Sequence, residues 1–277
     1  MTEPLRTALV QRPGAAFGRA FDDPATGFLH PVDLPAAQRE HDSLVAELVR
    51  LGVVVHDLGA GDAPYPDLVY LFDPLLVTDR GSIALRSGKP GRQGEAALVE
   101  AWTAARGIPV LGHVEEPGTI DGGDTFWLRR DLLCTGRTLR TNDAGIARLG
   151  NLARVAPRVF DVPYWRGPAE LVHLLSVISP VADDLAVVFE PLLPAGLWTL
   201  LADLGVRTIA VPEDEYASLG CNVLAVRPGV CIVAEGNPAT RRRLEAAGCE
   251  VHPVPLDEVG RNGSGGPTCL VRPILRT

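Results

Sequence analysis

The sequence predicts an α/β fold in which five strand, strand, helix, strand units close into a ring with pseudo-fivefold symmetry. Three observations lead there. Helix-like segments recur roughly every 45 to 55 residues, an interval of repeat architectures. Four of the five end at a glycine and run into a short apolar strand, because glycine enters the left-handed conformation after a helix without strain. The C-terminal "PTCLVRPIL" can also pair with the N-terminal "RTALVQRP", completing the first unit from both ends of the chain. An open α/β sheet with helices on both faces shares these periodicities and stays as the alternative.

The first unit starts with "RTALVQRP" and reaches the helix "AAQREHDSLVAELVRLG", which Gly52 closes ahead of "VVVHDL". Between them, Phe17 to Leu34 has little period and is rich in Gly, Pro and Asp, so the segment 15–34 reads as a long loop and a lid. In the second unit "VYLFDPLLVTDRGSIALRS" breaks two apolar runs with a polar turn, the pattern of a hairpin. The helix "RQGEAALVEAWTAARG" and the strand "IPVLGHV" follow it. The third unit repeats this with "DTFWLRRDLLCTGRTLR", "AGIARLGNLARVA" and "RVFDVPYW", although its helix lacks the terminal glycine. "HLLSVISPVADDLAVVFE", "GLWTLLADLG" and "VRTIAVP" form the fourth; "NVLAVRPGVCIVAE", "ATRRRLEAAG" and "CEVHPVP" form the fifth. One domain over 1–277 results, and equivalent strand ends converging on the ring axis give one site assembled from all units.

Composition bounds the partners. The 277 residues are 46% hydrophobic and 22% charged, and 24 prolines with 29 glycines supply turns around a large core. A formal charge of -8 and a pI near 5.3 argue against nucleic acid or an anionic membrane, which need a basic face. No apolar run reaches the ~20 residues of a spanning helix and no signal-peptide stretch opens the chain, so a cytoplasmic protein is expected. Cys134, Cys221, Cys231, Cys249 and Cys269 are odd in number and dispersed, which favours free thiols over a disulfide framework or zinc site. There is no G-x-x-x-x-G-K-[ST], no H-E-x-x-H and no G-x-G-x-x-G after a strand, so neither a metal nor a cofactor is expected.

Among the thiols, Cys269 stands apart in the glycine-rich "GSGGPTCLVRP", whereas the others lie in or beside apolar runs. Inert burial is the usual fate of cysteine; a nucleophile needs a base or cation, usually a histidine held by a carboxylate. His173 opens "HLLSVISPV" with no other polar residue near it, and a satisfied core histidine is the competing reading. Asp121 and Asp124 flank a double glycine in "TIDGGDTFWL", where turn formation competes with catalysis. Asp121, His173 and Cys269 each open a hairpin of a different unit, so the ring would let base, thiol and carboxylate meet, while Asp124 reads as structural. Asp67 and Asp73 in "PDLVYLFDP", with Arg92 and Arg140 before helix starts, suit a ligand with a cationic and an anionic end. Turn-forming aspartates and solvated arginines are the bland alternatives.

"PDLVYLFDP", "GTIDGGD", "GRTLRTN", "HLLS" and "GGPTCLV", in this order and at these spacings, resemble the dimethylarginine dimethylaminohydrolases of the guanidino-group-modifying (amidinotransferase, or pentein) superfamily. The resemblance runs over nearly the whole chain. It implies a five-bladed α/β propeller and hydrolysis of an N-methylated arginine to citrulline and a methylamine. By likeness of motif, Cys269 is the nucleophile, His173 the general acid and base, and Asp121 the carboxylate that orients it. Asp73 is then the guanidinium partner, Asp67 the α-amino partner, and Arg92 and Arg140 the carboxylate partners, with the Leu29 carbonyl in the lid as a further contact. The chain departs from the family at Phe72, where a glutamate is usual, and at Ser264, where an aspartate is usual. Leu175 stands where arginine deiminases of the superfamily carry a second aspartate. An apolar Phe72 at the binding site would favour a more substituted or less charged group. The expected partner is a small cationic amino-acid-like substrate, with a homodimer as the assembly to test. A sister guanidino- or ureido-compound hydrolase, such as an arginine deiminase, and a non-catalytic binding protein on the same scaffold remain the alternatives.

Overall fold

The computed structural model describes residues 1–167 and 171–277. Strand β1 (Leu5–Val10) leads through the one-turn helix α1 (Ala15–Gly18) and helix α2 (Leu34–Arg50) to β2 (Val54–Asp57). The second unit is β3 (Leu75–Thr78), β4 (Gly81–Ala84), α3 (Glu95–Ala105) and β5 (Val110–His113). The third is β6 (Thr125–Arg129), β7 (Leu132–Arg137), α4 (Asp143–Ala153) and β8 (Arg158–Asp161). The fourth is β9 (Ile178–Ala182), β10 (Leu185–Val188), α5 (Ala195–Asp203) and β11 (Arg207–Ala210), after which comes the short α6 (Glu213–Tyr216). The fifth is β12 (Leu224–Arg227), β13 (Val230–Ala234), α7 (Pro238–Ala246) and β14 (Glu250–Val254). The one-turn α8 (Pro267–Leu270) and β15 (Arg272–Arg276) end the chain.

These strands form five separate three-stranded sheets. Each has an antiparallel pair and a parallel pair sharing a central strand, and in the first sheet β1 is central, antiparallel to β15 and parallel to β2. The open-sheet alternative is thereby excluded. Parallel neighbours cannot be joined by a tight turn, and α2, α3, α4, α5 and α7 supply the five crossovers.

The helix ends follow local chemistry. Asp33 caps α2 by accepting the Ala36 N–H at 2.9 Å, and Gly52 just beyond it has φ of 87°. Gly107, Gly205 and Gly248 are also left-handed, and α4, which has no glycine there, uses Arg154 at φ of 55° instead. One face of α2 buries Ala37, His41, Leu44 and Leu48, the spacing of an amphipathic helix. Truncating Leu44 or Leu48 to alanine removes fully buried volume at a cost of about 2–5 kcal/mol. No described helix is long and apolar enough to cross a membrane.

Two expectations need correction. The residues read as opening hairpins do not lie in strands: Pro66–Val69, Gly122–Asp124 and Leu174–Ser176 are single 3₁₀ turns, and Pro267–Leu270 is α8. The segment 15–34 is not plain loop either. It carries α1, two 3₁₀ turns and the start of α2, and Phe17 packs edge-on against Phe28 at 5.2 Å. Asn262 Oδ1 accepts the N–H groups of Leu29 and His30 at 3.0 Å each, stitching this segment to the loop before Cys269.

Candidate active site

The single turns ahead of the strands bring the polar residues together. The Gly123 N–H donates to Asp73 Oδ1 at 2.7 Å, and the Gly122 N–H to the Asp73 carbonyl at 2.9 Å. The double glycine is needed for that approach: a Cβ on Gly122 would lie 2.0 Å from the Phe72 carbonyl oxygen, and one on Gly123 would lie 3.1 Å from both Asp73 Oδ1 and His173 Cγ. Asp73, Asp121 and His173 each place an oxygen or nitrogen within 4.8 Å of the others. The same set of acceptors could face a guanidinium or a metal ion. Cys269 joins this cluster through Phe72, whose N–H donates to the Cys269 carbonyl at 3.1 Å.

Around the imidazole the two aspartates divide their contacts. Asp124 Oδ1 lies 3.0 Å from His173 Nδ1 and Asp121 Oδ2 lies 3.9 Å from Nε2, so the nearer carboxylate is Asp124, read from sequence as purely structural. Asp124 also anchors the cluster, accepting the Leu174 N–H at 3.0 Å and the hydroxyls of Thr138 and Thr141 at 2.7 and 2.6 Å. Asp121 is fully buried; its Oδ1 accepts the Gly88 N–H at 3.2 Å, while Oδ2 accepts no hydrogen bond among the described residues and sits 3.5 Å from Arg140 Nη1. A buried carboxylate oxygen with spare capacity is a strong acceptor waiting for a donor.

Charge sets the protonation states. Burial raises the Asp121 carboxyl, and the neighbouring Asp73 adds to the rise. Burial acts the same way on Asp73, but Arg92, His173 and the Gly123 N–H outweigh it and bring its pKa down to about 2. Burial would lower His173, yet Asp124, Asp73 and Asp121 together raise it, which favours the imidazolium. The Cys269 thiol is pushed up to about 11 by burial and by Asp73, against the opposing pull of Asn222. At neutral pH the resting thiol is therefore protonated, and the three carboxylates bias the imidazole toward its cationic form.

Asn222 is the residue that sequence reasoning missed. Its Nδ2 donates to Cys269 Sγ at 3.2 Å and its Oδ1 accepts the Thr268 N–H at 2.9 Å. A Cβ on Gly266 would lie 2.4 Å from the Asn222 side chain, so that glycine makes room for the contact. The signal was available: Asn222 opens "NVLAVRPG" of the fifth unit, the position equivalent to Asp121, His173 and Cys269 in theirs. Cys269 is also the one partly exposed thiol, the other four being buried and all five free.

Two expected binding residues, Arg92 and Phe72, are placed differently. Arg92 is only 4% exposed and its guanidinium is committed to Asp73, to Glu95 at 2.8 Å and to the Asp67 and Tyr70 carbonyls at 3.2 and 3.1 Å. It braces Asp73, and each of its three guanidinium nitrogens donates to a protein acceptor. Phe72 is buried in the apolar cluster that also holds Leu175, with the Arg272 guanidinium 3.7 Å from its ring centroid; it is core, not a binding surface. Leu29 is exposed, and Asn262 holds its backbone N–H. Asp67 is buried with its carboxylate on Lys89, and Arg140 is partly exposed.

Known proteins resemble this chain in sequence and in fold. A family model described as arginine deiminase matches residues 197–276. The N(G),N(G)-dimethylarginine dimethylaminohydrolase of Streptomyces coelicolor is 29% identical over 268 residues, covering 96% of each chain. An arginine deiminase of Listeria welshimeri is 24% identical over 258 residues; the match takes in 77% of this chain and only 62% of that protein. Among solved structures, a cysteine-to-serine variant of the dimethylarginine dimethylaminohydrolase of Pseudomonas aeruginosa, complexed with citrulline, superposes with a TM-score of 0.81 at 22% identity. It covers 99% of this chain and 100% of that one. The N-terminal domain of a cyanobacterial arginine dihydrolase, bound to substrate, gives 0.82 at 18% identity, with 98% of both chains covered. In sequence and in fold, the chain is thus similar along nearly its whole length to the dimethylarginine dimethylaminohydrolases of the pentein superfamily.

Proposed function

We propose that this protein is a cysteine-dependent hydrolase acting on a C–N bond of a guanidino compound, with its five sheets arranged as the blades of a propeller around the site. The observation that carries the reading is Cys269, hydrogen-bonded by Asn222 and tied through Phe72 to the cluster of Asp73, Asp121 and the partly buried His173. The relatives named dimethylarginine dimethylaminohydrolase and arginine deiminase support the same reaction class, and N-methylated arginine is the head group to test first.

A guanidinium head donates to Asp73 and to the open oxygen of Asp121, bringing its electrophilic carbon to the sulfur. A cation there also offsets the charge of Asp73, which adds to burial in keeping the thiol protonated. As the cation binds, the Cys269 thiol gives up its proton to solvent; the thiolate attacks that carbon, and the C–N bond breaks as the His173 imidazolium gives its proton to the departing amine, leaving an S-linked thiouronium. Water then attacks, His173 takes its proton, and the C–S bond breaks to return the thiolate. The balance is one guanidinium and one water consumed, one ureido product and one ammonium released. Asp121 and Asp124 hold the imidazolium from its two nitrogen edges.

A deiminase acting on unsubstituted guanidine is the second reading, favoured by the family-model match. Release of ammonia, methylamine and dimethylamine from arginine and its methylated forms separates the two. Cys269→Ser is expected to keep the fold and yield no ureido product; sustained turnover by that variant removes the nucleophile.

A further inference from the structure

One buried carboxylate beside the site is left unused by the head-group chemistry. Glu95 opens α3 and is only 1% exposed. Its place in the first turn sets a negative charge at the positive end of the helix dipole. Its partner is Arg92, three residues earlier, whose Nε lies 3.1 and 3.0 Å from the two Glu95 oxygens and whose Nη2 lies 2.8 Å from Oε2. That grip occupies one edge of the guanidinium. Nη2 also reaches the Asp67 and Tyr70 carbonyls at 3.2 and 3.1 Å, and Nη1 donates to Asp73. One buried cation thus serves two buried carboxylates. After burial itself, Asp73 is what most opposes ionisation of the Cys269 thiol, whereas Arg92 favours it. The charge left on Asp73, Arg92 and Glu95 together therefore bears on the nucleophile. Among the described residues, the charged groups acting on Glu95 are Arg92, Asp67 and Asp73, with Asp67 itself on Lys89. Strands β3 and β4, against which α3 packs, carry no ionisable side chain, and on β5 His113 faces Glu100 at 3.6 Å.

We propose that Glu95 is a positioning residue: it aims Arg92 at Asp73, and its own charge decides how much of the arginine's charge is left to neutralise Asp73 beside the thiol. This rests on the site read above and adds a pH control to it. With Glu95 ionised, Arg92 is divided between two carboxylates and the set is net negative, which holds a cation and disfavours a thiolate. With Glu95 protonated, Asp73 and Arg92 cancel, so the thiolate forms more readily and a cation is held less firmly. Burial pushes Glu95 up to about 7 against the opposing pull of Arg92. A carboxyl raised in this way is neutral below that value and charged above it. Retention of a cation by the site therefore strengthens as pH rises through neutrality.

The test is the rate of Cys269 alkylation by iodoacetamide, an uncharged reagent, followed across neutral pH by peptide mapping, with and without millimolar guanidinium chloride as the competing cation. Wild type, Glu95→Gln and Glu95→Asp are compared. In wild type, protection by guanidinium is expected to strengthen as pH rises through neutrality, a measurement that needs no variant to fold. Glu95→Gln keeps an acceptor oxygen for Arg92 and removes the charge, so labelling without guanidinium should rise about three- to tenfold, the size of a fall of about half to one unit in the thiol. Protection should weaken in the same variant and lose part of its rise with pH; His173 is common to both proteins, so the difference belongs to Glu95. Glu95→Asp, which keeps the charge, is expected to behave as wild type does. Protection that is flat with pH in wild type, labelling of Glu95→Gln at the wild-type rate, or both variants slowed alike, as loss of a brace alone would give, overturns the proposal. Ureido product formed by wild type alongside any of these leaves the hydrolase reading standing. The expected Glu95 responses with no ureido product from arginine or its methylated forms sink the hydrolase reading and leave the charge coupling in place.

Discussion

Replacing Asn222 with alanine removes a side-chain hydrogen bond to Cys269 Sγ, at 3.2 Å, and the acceptor for the buried Thr268 N–H, at 2.9 Å. The two losses have different readouts. A hydrogen bond to a charged group contributes about 1.5–3 kcal/mol, and it acts on the thiolate far more than on the thiol. At about 1.4 kcal/mol per unit, the Cys269 pKa should rise by about one to two units. The rise starts from about 11, so the rate of thiolate alkylation at neutral pH should fall by about 10- to 100-fold. The unpaired Thr268 N–H costs a further ~1–3 kcal/mol of stability, read separately by denaturant titration. The assay is iodoacetamide labelling across pH with peptide mapping, which separates Cys269 from Cys249, a thiol held down at about 7 chiefly by its neighbour Cys231. An unchanged Cys269 labelling profile in Asn222→Ala would refute the assigned role of this contact.

The cluster geometry makes three further predictions. Gly122→Ala sets a Cβ 2.0 Å from the Phe72 carbonyl, an overlap with backbone that should cost about 1–3 kcal/mol or more in urea unfolding; an unchanged midpoint would mean the turn relaxes freely. Phe72→Ala empties a fully buried site and removes the Arg272 stacking contact, so it should destabilise by about 3–5 kcal/mol rather than switch specificity, which a substrate panel on the folded fraction checks. Asp73, normally near 3.8 and held at about 2 by its cationic partners, contributes stability that is present above its unfolded value and lost as pH falls from about 4 to about 2. Acid titrations should therefore show a stability loss in this window that Asp73→Asn lacks.

The repeat and the pairing of the two chain ends were legible because each rests on local sequence pattern. Gly52, Gly107, Gly205 and Gly248 sit where only a left-handed residue continues the chain easily, and all four are left-handed in the structure. The one-turn helices were not legible: three or four residues span about one turn, too few for a period to repeat, so "PDLV", "HLLS" and "PTCL" looked like strand openings. Grouping of Asp73, Asp121 and His173 followed from equivalent positions in successive units. What escaped depended on pairings far apart in sequence. Arg92 is captured by Asp73 and Glu95, and Phe72 is covered by Arg272, 200 residues away. Asn222 was passed over because an amide shows its role only once a sulfur is seen beside it.

Covalent trapping tests the central claim most directly. Wild-type protein mixed with a guanidino substrate and quenched in acid within a turnover should show, by intact mass and peptide mapping, the thiouronium mass on the Cys269 peptide. That adduct should be absent in Cys269→Ser. Ureido product accumulating with no adduct on the wild-type peptide, and undiminished in Cys269→Ser, would contradict it.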